Sequence, residues 1–517
     1  MKYKKILYSF IYILSLLCVN LLVAQEKSLS DYLRPGSYKV GLKISWERDY
    51  SRSLIAKSEY LKDLPFDKRA RPVRMYIWYP AQATNAVKTA SLEDYFHFMA
   101  EDFRPDLKPA PGGKKELSPF IRSLGLSDEK LRAILEKKTF AILNAKPLSG
   151  SFPIIIVGQG LYFESPVSHA LLCEYLASYG YVVATCPLMG SYSRSMTLDI
   201  TDLETEVRDM EFVLSKIRNL QDANMERIGL IGFDLGGMAS VLFQMKNPAI
   251  DAVVSFDAGI MYEHNTKLLN QSSYYRPRSL RAPLLHFIHP KNEIEKEGIK
   301  EDFTLYDSSA FSKKYIVKIS NMRHVDFTSF PLMGLYERAG RENSKSCYKA
   351  VAAYTLNFLN RYLKDQEDGQ VFLERNPRQN VDSSVTIAIE SSGYKPIPPG
   401  INDFENVIFA RGIKAGIDLF RNAGKQSPEL QNEAAVNRLA YDMLYKFDKV
   451  NEAVEIFKLN IELHPQSSNA YDSMGEAYMM RGDRLLAIQN YEISLRLDPK
   501  NSNAVEKLQQ LKANIKN

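Results

Sequence analysis

"RIGLIGFDLGG", residues 227–237, sets a run of strand-forming apolar residues against a glycine turn, and "MASVLF" then continues as a helix. The spacing Gly232, Asp234, Gly236, with Gly237 behind it, predicts a sharp, strained strand-to-helix turn. A side chain at Gly232 or Gly236 would collide with neighbouring backbone there. Such a turn lifts residue 234 above the sheet edge and aims the amino terminus of the following helix at the same point, which favours an anion. An ordinary glycine turn in an α/β protein has the same local pattern, so the surrounding elements must decide between the two.

Strand-like runs recur on both sides: "SYKVGLKIS" from 37, "RPVRMYIWYP" from 71, "PIIIVG" from 153, "YVVATCP" from 181, "DAVVSFD" from 251, "APLLHFIH" from 282 and "KKYIVKIS" from 313. Helical stretches at 165–179, 202–220, 237–246 and 346–363 separate most of the later runs or follow the last. This alternation predicts an α/β fold, a mainly parallel sheet with helices on both faces. The first two strands have no clear helix between them, as in a leading antiparallel hairpin. Residues 83–148 read as an insertion that begins polar and then turns helical through "SPFIRSLGLSDEKLRAILEKKTFAIL". It is either a lid over the carboxyl edge of the sheet, where ligands bind in such folds, or a decoration away from any site.

The chain's ends have a different character. "MKYKKILYSFIYILSLLCVNLLVAQEKS" has a basic start, an apolar run and a small residue at Ala24. It reads as a signal peptide over 1–24 and predicts export, with an uncleaved anchor as the alternative. No later run is apolar enough to cross a bilayer. The formal charge of +6 falls by three when Lys2, Lys4 and Lys5 leave with the leader, too mild a balance to suggest nucleic acid. Cys173, Cys186 and Cys347 are scattered and read as core residues, with one structural pair as the alternative. The expected domains are therefore 25–370, a linker at 371–402 containing "SSGYKPIPPGIND", and a helical region at 403–517.

Within that last region Ala453 and Ala487, Phe457 and Tyr491, and Pro465 and Pro499 each lie 34 residues apart. With Tyr471, Gly475, Tyr478 and Gly482 in the second unit, this resembles the tetratricopeptide repeat. The resemblance implies a surface for a protein or peptide partner, or else a brace for the larger domain.

Context favours a functional turn at 234. Asp257 ends the next strand in "VVSFDAGI", and His324 follows the last strand in "NMRHVDFTSF". Nucleophile, acid, histidine is the chain order of an α/β-hydrolase triad. Asp326 sits too close to His324 in sequence to support its ring readily, and His286 and His289 read as structural members of a strand. No histidine and acid cluster has metal-ligand spacing and no cofactor motif occurs, so neither metal nor cofactor is expected.

Together "RPVRMYIWYPA", "FPIIIVGQGLYFES", "GFDLGG", "SFDAGI" and "HVDF" resemble the platelet-activating-factor acetylhydrolase branch of α/β hydrolases, near the dienelactone-hydrolase-like esterases, over about residues 37–365. The resemblance implies Asp234, Asp257 and His324 as the catalytic set, with the backbone amides of Leu161 and Leu235 as oxyanion donors. Aspartate replaces the family's serine. A carboxylate attacking an ester carbonyl gives an uphill mixed anhydride, whereas attack on saturated carbon gives an ordinary ester that His324-activated water can cleave.

Dehalogenases and epoxide hydrolases of the superfamily resemble that second scheme. Leu235 stands where dehalogenases usually place tryptophan, and Trp46 and Trp78 lie in early strands. Tyr95 and Tyr162 are candidate acids for epoxide opening. Direct activation of water by His324 is a third route. The sequence thus predicts an exported hydrolase of a small carboxylic ester or related carbon–oxygen electrophile. Its rival is a catalytically silent binding or scaffold protein.

Overall fold

Strand β5 (Phe152–Gly158) is apolar throughout, and its side chains leave alternately to two cores: Ile155 and Val157 enter one, Ile154 and Ile156 the other. A strand buried on both faces belongs in the middle of a sheet covered on both sides. The computed structural model describes residues 33–513 except 54–68, 83–88, 103–116, 290–299, 337–342, 394–398, 424–426 and positions 193, 221, 301 and 428. The signal segment at 1–24 lies outside the described residues. Two units, 1–395 and 396–517, divide the chain.

The first unit is built on one sheet of eleven strands. Besides β5 these are β1 (Lys39–Ser53), β2 (Ala70–Ala81), β3 (Thr89–Ser91), β4 (Lys138–Leu143), β6 (Val182–Thr185), β7 (Ala223–Phe233), β8 (Ala252–Phe256), β9 (Leu284–Ile288), β10 (Lys314–Ile319) and β11 (Ile387–Ser392). Their spatial order is β11-β10-β9-β8-β7-β5-β6-β2-β1-β4-β3. From β6 through β10 neighbours run parallel, while β1 and β2 form an antiparallel pair and β2 joins β6 antiparallel. The chain leaves β5 for β6 on one side and returns to β7 on the other. This opens a crevice at the carboxyl end of β5, where open α/β sheets bind ligands.

Among the helices that accompany the sheet are α1 (Leu92–Glu101), α2 (Pro119–Ser123), α3 (Asp128–Leu135), α4 (Ala170–Ser178), α5 (Ile200–Ile217), α6 (Leu235–Lys246) and α7 (Ser344–Leu363). Apolar residues of α4 and α7 share a core with one face, and those of α5 and α6 with the other. Strand order, crossover pattern and the tight turn between β7 and α6 are those of the α/β-hydrolase fold.

Two stretches differ from the sequence expectation. "KTFAIL" at 138–143 reads as helix but forms β4, paired in parallel with β1 through Val40 and Ala141. A short apolar run has no period that separates helix from buried strand. The expected linker at 371–402 contributes β11, which pairs antiparallel with β10 from Ile319 with Ile387 to Lys314 with Ser392. Its half-exposed, polar-rich pattern gives little strand signal until the edge of β10 supplies a partner. The three later cysteines are free and buried.

The second unit is helical: α8 (Ile401–Ala423), α9 (Glu433–Tyr441), α10 (Val450–Leu463), α11 (Ser468–Arg481), α12 (Arg484–Leu497) and α13 (Ser502–Ala513). Ala453, Phe457, Ala487 and Tyr491, the residues spaced by 34 positions, are buried in one core. A side chain at Gly475 would meet the Tyr491 ring at 2.9 Å, so the missing Cβ lets these helices approach.

Candidate active site

Strand β7 ends at Phe233, and Asp234 turns the chain with φ 50° and ψ −119° before α6 begins at Leu235. Few L-residues hold positive φ without surrounding support. Here the Asp234 amide donates to the Phe256 carbonyl at 3.0 Å, and the Asp234 carbonyl accepts from the Gly237 amide at 3.0 Å. A Cβ on Gly232 would lie 2.2 Å from the Gly236 oxygen, and one on Gly236 would lie 2.3 Å from the Gly158 backbone. Both glycines are therefore required by the turn, as the spacing implied. Gly237 meets Ala258 across the next strand, at 2.4 Å for an added Cβ.

The carboxylate of Asp234 does not cap its own helix. Its Oδ2 accepts a hydrogen bond from the Leu161 amide at 3.0 Å, and the Leu235 amide also stabilises it. These are the two backbone groups singled out in the sequence as oxyanion donors. Burial pushes the Asp234 carboxyl up from its ordinary range. The charge of His324 and the two amides oppose that rise, and the charge of Asp257 adds to it.

Asp257 follows β8 with φ 46°, its amide held by the Phe287 carbonyl at 2.8 Å. Its side chain is buried and accepts from His324 Nδ1 at 2.7 Å. Burial alone would raise its pKa. Hydrogen bonds from His289 and His324, together with their charges, outweigh burial and hold the carboxyl well below the usual range. His324 opens a short turn after β10, with its ring 4.5 Å from that of Phe233 and its side chain 39% exposed.

His289 corrects the sequence reading, in which it is a structural strand residue. Strand β9 stops at Ile288, and the His289 ring turns onto Asp257, with Nδ1 2.8 Å from each carboxylate oxygen. The proline closing "LLHFIHP" marks a strand end nearby, but not that the His289 ring turns onto an acid. The usable clue is that His289, like Leu161, Asp234, Asp257 and His324, falls at or just past the carboxyl end of a parallel strand. His286, by contrast, is buried and bonded to Ser255 Oγ at 3.1 Å, and burial lowers its pKa to about 4. Asp326 pairs with Arg323. Tyr95 is withdrawn as an acid candidate, because its buried hydroxyl bonds Glu174 and accepts from the Trp78 indole at 2.9 Å. Tyr162, next to the Leu161 amide, is 89% exposed. Among the described residues no group of His, Cys, Asp and Glu could hold a metal ion.

The described part of the insertion borders this edge. Met99, Ser118 and Phe120 line a cavity of about 110 Å³ with Tyr162, Phe163, Glu164, Ser165, Arg194 and Phe330. Phe120 meets Phe330 with ring centroids 5.3 Å apart. Asp102, at the end of α1, bonds Tyr76 and Ser165 and pairs with Arg74 at 3.3 Å, so the insertion is bolted to the loop that carries Leu161. A larger cavity of about 440 Å³ lies at the opposite, amino-terminal end of β5, β6 and β7 and shares no residue with the constellation.

No family model matches this chain, and no curated protein matches it. Among solved structures, the chain is similar to a ferulic acid esterase from Streptomyces cinnamoneus at 17% identity with a TM-score of 0.47, covering 68% of this chain and 96% of that one.

Proposed function

We propose that the chain is an exported hydrolase of a small carbon–oxygen electrophile, with Asp234 as the nucleophile. The observation that carries this reading is the 3.0 Å bond from the Leu161 amide to Asp234 Oδ2. An oxyanion site already occupied by a carboxylate oxygen has no place for the carbonyl of an ester attacked at its acyl carbon. The same arrangement suits attack by Oδ1 on a saturated carbon, as in a strained cyclic ether or an activated ester cleaved on its alkyl side. The carbon–oxygen bond of the substrate breaks, its electron pair leaves on oxygen, which takes a proton from solvent water where it departs as an alkoxide, and an Asp234 ester forms.

His324, oriented by Asp257, then takes a proton from water. The hydroxide adds to Cγ, the charge develops on Oδ2, which the Leu161 amide already holds, and collapse passes the His324 proton to the departing oxygen, releases an alcohol and restores the carboxylate. Net consumption is one water per bond cleaved. The tetratricopeptide-like region would present a surface to a protein or peptide partner.

Intact-mass measurement tests the reading. His324→Ala is expected to accumulate a covalent adduct of substrate mass when given small epoxides, while wild type turns them over. Absence of adduct and of turnover across epoxides and activated alkyl esters would sink it. The filled oxyanion site also favours a second reading, a silent binding protein, for which wild type binds such ligands without ever forming an adduct.

A further inference from the structure

Asp257 serves two imidazoles. Its Oδ2 takes His324 Nδ1 at 2.7 Å and His289 Nδ1 at 2.8 Å, and its Oδ1 takes the same His289 nitrogen at 2.8 Å and the His289 amide at 3.1 Å. His289 therefore straddles the carboxylate with its ring while its own backbone pins one oxygen, which fixes the plane that His324 must meet. The His289 side chain is 12% exposed, against 39% for His324, so the second imidazole is the more sheltered of the two. We propose that His289 is a positioning residue that shares Asp257 with His324 and so limits how tightly that imidazole can hold a proton. The proposal rests on the reading of His324 as the base.

A carboxylate already satisfied by His289 stabilises a charged His324 less than an unshared carboxylate would. If His289 itself gains a proton, its charge opposes a second proton on His324. Both effects keep His324 neutral, and competent as a base, to lower pH. Charged or titratable groups near the pair include Asp234 from the end of β7, His286 from β9, and Arg323, paired with Asp326, from the turn after β10. His286, at about 4, stays uncharged near neutrality.

Histidine-selective NMR titration of the full chain tests this without any substrate, so an inactive protein can still satisfy it and an active one can fail it. Signals are assigned with His324→Ala and His289→Ala. In His289→Leu the His324 midpoint is expected to rise by roughly one pH unit. His289→Asn keeps a donor for Asp257 without titrating and is expected to recover most of the wild-type value. An unchanged midpoint in a folded His289→Leu protein would overturn the proposal, and so would an Asn variant that behaves like Leu. If the Leu variant does not fold, wild type decides: each imidazole's curve must show the other's titration as a second step, and two independent single steps would refute the coupling.

Discussion

At the scale of single residues, Asp234 occupies the strained strand-to-helix turn between β7 and α6, and its carboxylate is the nucleophile of the proposed function. Its backbone is held at φ 50° by groups that do not involve the carboxylate, so a serine placed there inherits the same turn. Asp234→Ser is expected to gain hydrolysis of a short-chain aryl ester, because it empties the Leu161 and Leu235 amides for a carbonyl oxygen. That activity should vanish in Asp234→Ser/His324→Ala, as read by release of the aryl alcohol. Asp234→Asn is expected to lose turnover of a carbon electrophile by roughly 10³-fold or more. Since burial raises the Asp234 carboxyl and the proposed attack needs its ionised form, the wild-type rate should climb with pH through that raised range. Gly236→Ala should destabilise the first unit by roughly 3 kcal/mol, seen as a lower urea midpoint, because its Cβ would lie 2.3 Å from rigid Gly158 backbone. Asp234, Asp257 and His324 are legible as a set in the sequence because each follows a clear strand. His289 is not, because its orientation depends on β9 stopping one residue earlier.

At the scale of secondary-structure elements, the packing of the insertion rests on buried acids that the sequence does not mark. Glu174 in α4 accepts the Phe140 and Ala141 amides of β4 at 2.6 and 3.1 Å, and Tyr95 of α1 bonds it too. Burial pushes Glu174 up to about 7, Asp102 to about 6 and Glu206, beneath the Gln159 amide in α5, to about 8. In each the native state keeps a proton that the unfolded chain releases near its ordinary value. Their stabilisation is thus complete below about pH 4 and is lost as pH rises through the native values, at about 1.4 kcal/mol for each pH unit separating native from unfolded titration. Asp257 works the other way, losing its contribution only as pH falls below the ordinary carboxylate range. Chemical denaturation from pH 5 to pH 8 should therefore show falling stability, less steeply below about pH 6.5, where the buried neutral His169 and His286 work in the opposite direction. Glu174→Gln, which carries no titrating proton, should give a flatter profile, and an identical slope would refute the assignment. Propensity and period made the parallel core readable. The strands β4 and β11 were hidden because pairing with β1 and β10, rather than local pattern, makes them strands.

For the whole molecule, the decisive point is that the cores are separate sets of residues. The two sheet cores draw only on residues before 396, and the helical core only on residues after it. The 34-residue period announced the second unit, since Ala453, Phe457, Ala487 and Tyr491 had to be small or aromatic in register to fill one interior. The boundary was less legible, because β11 extends the first unit into what composition presented as linker. Separate cores predict separate responses to core substitutions. Ile155→Ala, in a fully buried strand position, should weaken the first unit by roughly 2–4 kcal/mol. Gly475→Leu should weaken the second, because its first carbon already lies 2.9 Å from the Tyr491 ring. Trp46 and Trp78 are the chain's two tryptophans and both belong to the first unit, so indole fluorescence reports that unit alone, while far-ultraviolet circular dichroism reports both. Ile155→Ala is expected to shift the fluorescence melt. Gly475→Leu is expected to leave that melt in place and shift part of the dichroism signal. A fluorescence melt that moves with Gly475→Leu would mean that the two cores unfold as one.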